Sequence, residues 1–417
     1  MQFTRYKSNH TRWVIAALST LVLIHSTIAS AAGGFMRSVG NSSVTPRISI
    51  MGRGIATFDG MLGKQAIGGA RNNSMINYSD SFLDAQFDSR LYSGIHGGML
   101  LGLRFPDAGS GIGPVFYHQM NVFLEAQHWG LRIGRTSLPN YLIAFPTLRD
   151  SDLIDYTQVP NAMINNPASE YAQYGDVFKG SYYWMSSRLR LSGFAAHQFE
   201  SNTSGQLLDR FSLNSGGTQI NYELTPGARY SSWLRQLGAE IYYQDVRNIP
   251  GKQRQYSYIL GGVINLDRDP VDHWELRFQA IDNQGAGIRS VSTVQAQAQA
   301  RSQAYVFSVR HVHSPYLVPR LQMALTVAYQ RFDGVDASRY SIVPNVTYRL
   351  GANTNLIAQY AFLHNQGTLQ KSLNGPYAGL KNNSTVTLGL AYDFGITSND
   401  YFGNRTSLLN TEHGYLP

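Results

Sequence analysis

Along most of the chain, apolar and polar residues alternate one for one. In residues 384–395, Val386, Leu388, Leu390, Tyr392 and Phe394 alternate with Thr385, Thr387, Gly389, Ala391 and Asp393. A period of two is the mark of a strand with one apolar face and one polar or small face. The same alternation recurs at 48–58, 84–95, 97–105, 115–127, 129–135, 176–185, 189–200 and 217–224. It continues at 233–245, 254–266, 272–283, 304–313, 320–332, 340–350 and 355–365, so that sixteen strands are predicted in all. Most are about 8–13 residues long, the reach of a tilted strand across a bilayer. The least marked turn is at Ser186-Ser187, and without it the count falls to fifteen.

The connections carry a second pattern. With the N-terminus on the periplasmic side, the connections after odd-numbered strands are extracellular: 59–83, 106–114, 136–175, 201–216, 246–253, 284–303, 333–339 and 366–383. Most of these are long. The intervening turns are mostly short, from the single residue His128 to "DRDPVD", "HSPYLVPR" and "GANT". Long loops at one end and short turns at the other are a barrel's asymmetry, not a sandwich's.

The two faces then decide which side meets lipid. In "RLQMALTVAYQRF" the apolar set is Leu321, Met323, Leu325, Val327 and Tyr329, opposite Gln322, Thr326 and Gln330. In "HWELRFQA" it is Trp274, Leu276, Phe278 and Ala280, opposite Glu275, Arg277 and Gln279. A dry sandwich core has no place for mid-strand charges and amides on strand after strand. The apolar faces therefore point outward. Phe58, Trp129, Trp233, Trp274, Tyr305, Tyr392 and Phe394 cluster near strand ends, as interfacial aromatic girdles do. No segment beyond the leader approaches 18 consecutive apolar residues, which leaves a closed barrel as the way to cross with every backbone group paired. The predicted fold is all-β, a transmembrane antiparallel β-barrel of sixteen strands.

Composition sharpens this. Arg5, Lys7 and Arg12 precede the short apolar run "WVIAALSTLVLI", and Ala29-Ser30-Ala31 offers small residues for cleavage, so residues 1–31 read as a secretory signal peptide. Removing those three cations leaves 31 Lys and Arg against 26 Asp and Glu, a net +5 on about 386 residues. That charge comes without the Lys/Arg clusters that track a phosphate backbone, so nucleic acid is not an expected partner. The chain has no cysteine, 14% charged residues, 40 Gly and 26 Tyr. The implied organisation is a periplasmic N-terminal segment at 32–47, a barrel at 48–394 and a periplasmic tail at 395–417. The histidines His96, His118, His128, His197, His273, His311, His313 and His364 are scattered. Only His311 and His313 share a face, near a strand end that suggests the membrane interface. No catalytic constellation, metal-ligand set or phosphate loop results, and the expectation is a non-enzyme without cofactor.

The connection at 136–175 stands apart. Forty residues are too many for a passive link, and Tyr141, Leu142, Ile143, Phe145, Leu148, Leu153 and Ile154 need a surface to pack on. The loop is expected to fold into the barrel and lie on its inner wall. In this architecture the chain resembles the porins of Gram-negative outer membranes, over essentially the whole mature length. It lacks the Pro-Glu-Phe-Gly-Gly stretch of many such porins, and a 23-residue tail follows Phe394 where many of them stop.

The resemblance implies passive diffusion of small hydrophilic solutes and ions, narrowed at the third extracellular loop. It also implies an outer-membrane location among lipid and lipopolysaccharide, and a homotrimer. Loop acids facing wall arginines would set up a transverse field, which makes Asp150, Asp152 and Asp155 the acids here. The wall candidates are Arg53, Arg90 and Arg132 near mid-strand, with Arg104 and Arg135 nearer the extracellular rim. An arginine facing lipid at mid-membrane costs about 2–4 kcal/mol, so Arg53 and Arg90 are expected to point inward. Arg277 and Arg310 suggest a second basic patch on the far wall. Two alternatives stay open. One is a substrate-specific, anion-preferring channel; the inward residues Tyr92, Phe123, Tyr242 and Leu100 are too dispersed for a sugar slide. The other is a non-transporting envelope-anchoring barrel, for which the tail is a candidate peptidoglycan contact.

Overall fold

Each alternating stretch forms a strand in the computed structural model, which describes residues 47–62, 74–77, 81–92, 94–104, 116–126, 128–137, 143, 145, 174–184, 189–197, 215–223, 232–244, 255–284, 301–315, 320–333, 337–351, 354–367 and 382–397. The strands are β1 (Arg47–Leu62), β2 (Ser74–Asn77), β3 (Phe82–Tyr92), β4 (Ile95–Arg104), β5 (Phe116–Glu125), β6 (Trp129–Ser137), β7 (Tyr174–Trp184), β8 (Leu189–His197) and β9 (Ser215–Glu223). They continue with β10 (Leu234–Gln244), β11 (Gln255–Asn265), β12 (Asp272–Gln284), β13 (Arg301–His313), β14 (Leu321–Asp333), β15 (Ala337–Arg349), β16 (Thr354–Gly367) and β17 (Asn382–Thr397).

From β3 onward every strand pairs antiparallel with the next. The ring closes because β1 pairs with β17 on one side, from Ser49↔Thr397 to Leu62↔Ser384, and with β2 and β3 on the other. Closure removes the open edges that a lipid phase could not solvate.

Seventeen strands make sixteen passes, because β2 and β3 share one pass along β1. The sequence pattern placed a single strand there, starting at residue 84. The interruption between them is repaired by a side chain. Ser81 Oγ accepts from the Ile55 N–H at 3.0 Å and donates to the Ile55 carbonyl at 3.1 Å, replacing the missing ladder partner. At Ser186-Ser187 the pass count holds: β7 ends at Trp184, β8 begins at Leu189, and these two residues pair.

Several boundaries differ from the sequence reading, among them both ends of the barrel and one link. The barrel starts one residue earlier, at Arg47, and the last strand runs past Phe394 to Thr397, where it still pairs with β1. The link between β14 and β15 shrinks to residues 334–336. The leader at 1–31, the rest of the N-terminal segment and the tail from 398 lie outside the described residues.

Burial follows the alternation. On β14, Met323, Leu325, Val327 and Tyr329 are exposed on the outside, while Ala324, Thr326, Ala328 and Gln330 are buried on the inside; Leu325 is 47% exposed and Thr326 0%. On β17, Leu388, Leu390 and Tyr392 face outward, and Thr385, Thr387 and Ala391 inward. Pro344, on the outer face of β15, has no N–H to give, and the β15–β16 ladder lapses at 343–344. Phe58, Trp233, Trp274, Tyr305 and Tyr392 all lie exposed on the outer face. No described helix is long and apolar enough to cross a membrane.

Candidate functional site

The inner face of β12 is the reference line of the lumen. His273, Glu275, Arg277, Gln279 and Ile281 alternate inward along it, rising from the short-turn end to the long-loop end. Glu275 is 0% exposed and three guanidiniums reach it. Arg277 Nε and Nη2 donate to Oε1 at 2.6 and 2.5 Å, Arg310 Nη1 donates to the same oxygen at 3.1 Å, and Arg235 Nη1 donates to Oε2. Arg310 also donates through Nη2 to Gln322 Oε1 at 2.5 Å. A buried carboxylate is tolerated only when paired and hydrogen-bonded, and here its partners come from three strands, β10, β12 and β13. Below it, His273 Nδ1 lies 2.9 Å from Asp267 Oδ1.

Above the arginines the wall turns apolar, and the 136–175 connection meets it there. Ile143 and Phe145 are buried among Ile259 and Val263 of β11, Ile281 of β12, Ala304 and Val306 of β13, Ala328 of β14 and Leu363 of β16. The Ile143 N–H donates to Gln279 Oε1 at 3.1 Å. Gly261 makes room for this contact. A Cβ there would stand 2.7 Å from Ile143 Cγ1 and 3.0 Å from the Phe278 carbonyl, too close for any side chain without displacement. These two loop residues therefore reach from the end of β6 to the wall built by β11–β16.

A second buried carboxylate, Glu240, stands beside that contact. It pairs across the ladder with Ile259 on one side and Gln219 on the other. Gln219 Nε2 donates to Glu240 Oε2 at 3.1 Å, and Arg190 Nη2 donates to Gln219 Oε1 at 3.2 Å. Further round the wall Arg132 and Lys179 occupy directly paired inner positions on β6 and β7, with Arg132 only 5% exposed. Near the top of β15, Arg339 donates to Gln330 and lies over the Phe332 ring.

The residues singled out from sequence fall as follows. Arg53 has the parity of the buried Ile55 and Thr57, and Arg104 that of Leu100 and Gly102. Both pair with Phe82, so the register brings them into one row across β1, β3 and β4. For Arg53, Arg90 and Arg104 the backbone alone is described. Arg90 also has inner parity, but it pairs with His96, the second residue of β4, and so lies near the short-turn end rather than at mid-strand. Arg135 needs a larger correction. It pairs with Met120, which is exposed on the outer face, so its register puts it on the outward side and not in the lumen. Asp150, Asp152 and Asp155 lie outside the described residues.

Arg277 and Arg310 do stand together, but around Glu275 and in company with Arg235, which the pattern did not single out. Glu240, Gln219, Arg190 and Lys179 were missed as well. Each is one polar residue in an alternating strand, and only the ladder register shows that they are neighbours. His311 and His313 sit at the short-turn end of β13. There His313 Nδ1 lies 2.7 Å from Asp272 Oδ1 and the His311 ring packs 4.6 Å from Trp274. No cluster able to hold a metal ion occurs among the described residues.

No protein-family model and no curated protein matches the chain. Solved structures do. An anion-selective porin from Comamonas acidovorans aligns at 15% identity and a TM-score of 0.56, covering 85% of this chain and 100% of that one. The outer membrane channel DcaP of Acinetobacter baumannii aligns at 12% identity and 0.55, covering 85% and 99%. OmpF of Salmonella typhi, solved with daunomycin, aligns at 12% identity and 0.52, covering 84% and 97%. What is shared at these identities is the fold, the closed antiparallel barrel of outer-membrane porins.

Proposed function

We propose that this chain is a passive outer-membrane channel of a Gram-negative bacterium, through which small hydrophilic solutes and ions diffuse down their gradients. One observation carries the reading: a closed ring of sixteen passes is apolar outside and charged inside. Barrels of that strand number are wide enough to hold water along their axis. The docking of Ile143 and Phe145 on the inner wall supports the 136–175 loop as the part that narrows the path.

The inner charges favour anions. Arg132, Lys179, Arg190, Arg235, Arg277, Arg310 and Arg339 outnumber Asp84, Glu125, Glu240 and Glu275 on the described inner wall. A narrow passage with low-dielectric walls focuses such an excess. Asp150, Asp152 and Asp155 are the proposed loop acids, with Arg53, Arg104 and Arg132 on the wall across from the loop anchor. Assembly as a homotrimer among lipid and lipopolysaccharide, and contact of the tail with peptidoglycan, belong to the same proposal.

The test is single-channel recording of the refolded mature protein in a planar bilayer under a salt gradient. Steady steps, grouped in threes for a trimer, with a reversal potential on the anion side are expected. Replacing Asp150, Asp152 and Asp155 together with Asn should move that potential further toward anions. Well-folded protein without conductance would point instead to an envelope-anchoring barrel.

A further inference from the structure

Two of the three buried carboxylates on the described inner wall, Glu275 and Glu240, are partnered in opposite ways. Glu275 has three guanidiniums on it. Glu240, 2% exposed, has a single amide: Gln219 bonds Oε2, and the buried Oε1 has no hydrogen-bond partner. Arg190 mirrors this. Its Nη2 is engaged with the same Gln219, and its buried Nε has no partner. A carboxyl oxygen and a guanidinium N–H, both buried and both without a hydrogen-bond partner, thus flank one glutamine amide. Each is expensive to leave buried and unmet.

The surroundings place this pair beside the docked loop residues. Glu240 is paired with Ile259, against which Ile143 and Phe145 pack. Arg190 lies in one ladder row with Asn221, Gly238, Gly261 and Gln279, the row that anchors Ile143. Lys179 and Arg190 are the cations that act electrostatically on Glu240. We propose that Glu240, Gln219 and Arg190 form a subsite for a small zwitterion, an α-amino acid. Its ammonium donates to Glu240 Oε1, its carboxylate accepts from Arg190 Nε, and Gln219 sets the spacing. A simple anion satisfies Arg190 and is repelled by Glu240. A simple cation does the reverse, and a neutral sugar answers neither charge.

The inference rests on the channel reading, and one experiment separates the two. Block of the ion current in planar bilayers is measured for alanine, propionate and ethylamine, which share a small alkyl body and differ in their charged groups. Alanine should block at concentrations about tenfold lower than either analogue, the worth of one added charge-assisted hydrogen bond. Glu240→Gln should erase the advantage over propionate, and Arg190→Gln the advantage over ethylamine, each leaving the other comparison in place. Equal block by all three solutes, or an alanine preference that survives both substitutions, overturns the subsite while the channel stands. If folded protein does not conduct, the channel reading fails. Calorimetric titration of alanine into the detergent-folded barrel then decides the subsite: binding that Glu240→Gln abolishes supports it, and no binding overturns it.

Discussion

At Glu275 three guanidiniums meet on a carboxylate that solvent does not reach. Removing the anion of a buried pair leaves its cations uncompensated, which costs about 3–5 kcal/mol, more than most buried contacts give up. Glu275→Gln should therefore lower the stability of the folded barrel by that order, read from urea unfolding followed by tryptophan fluorescence. It should also shift the reversal potential toward anions, since Arg235, Arg277 and Arg310 lose the charge that balances them. An unchanged potential with lowered stability would make the cluster purely structural. Ser81 teaches a smaller lesson of the same kind. One hydroxyl stands in for a backbone partner of Ile55, so the first seam of the barrel passes its interruption without an open rung.

The strands tolerate one another through such residues, but the loop depends on a fit between elements. Ile143 lies in the room left by Gly261 of β11 and is held by the side chain of Gln279 of β12. Gly261→Ala would set a methyl group where Ile143 now packs and should lift the loop from the wall. Ile143→Ala should weaken the same docking, by about 2–5 kcal/mol if the site behaves as a buried aliphatic position. Both substitutions are expected to raise single-channel conductance without altering the ladder, which amide-region infrared spectra would verify. Conductance equal to wild type in both would mean that the aqueous path does not run past this contact.

At the scale of the whole barrel, stability and function depend on closure. β17 holds both β16 and β1, and its ladder with β1 runs from Ser49↔Thr397 to Leu62↔Ser384. Deleting residues 382–397 would expose two strand edges to lipid, where each unpaired backbone group costs several kcal/mol. The truncated chain should form no heat-modifiable folded species in detergent gel electrophoresis and no channels. A truncated protein that still migrated as a folded barrel would show that β1 and β16 can close the ring without it.

The strand pattern alone determined the fold. Side chains alternate in and out with a period of two, so Leu388 and Tyr392 on β17, or Leu325 and Val327 on β14, announce an outer face wherever the strand sits. The loop's apolar residues likewise announced that it needed a wall. What the sequence could not hold was position along and around the ring, because register is a relation between strands. Arg53 and Arg104 read as unrelated heights until Phe82 put them in one row. Arg135 read as inward until its pairing with Met120 turned it outward. Glu240 and Arg190, 50 positions apart, meet through Gln219 only after the ladder of β8, β9 and β10 is set. Alternation is local and survives in one dimension; the site is built from cross-strand neighbours, which exist only once the barrel has closed.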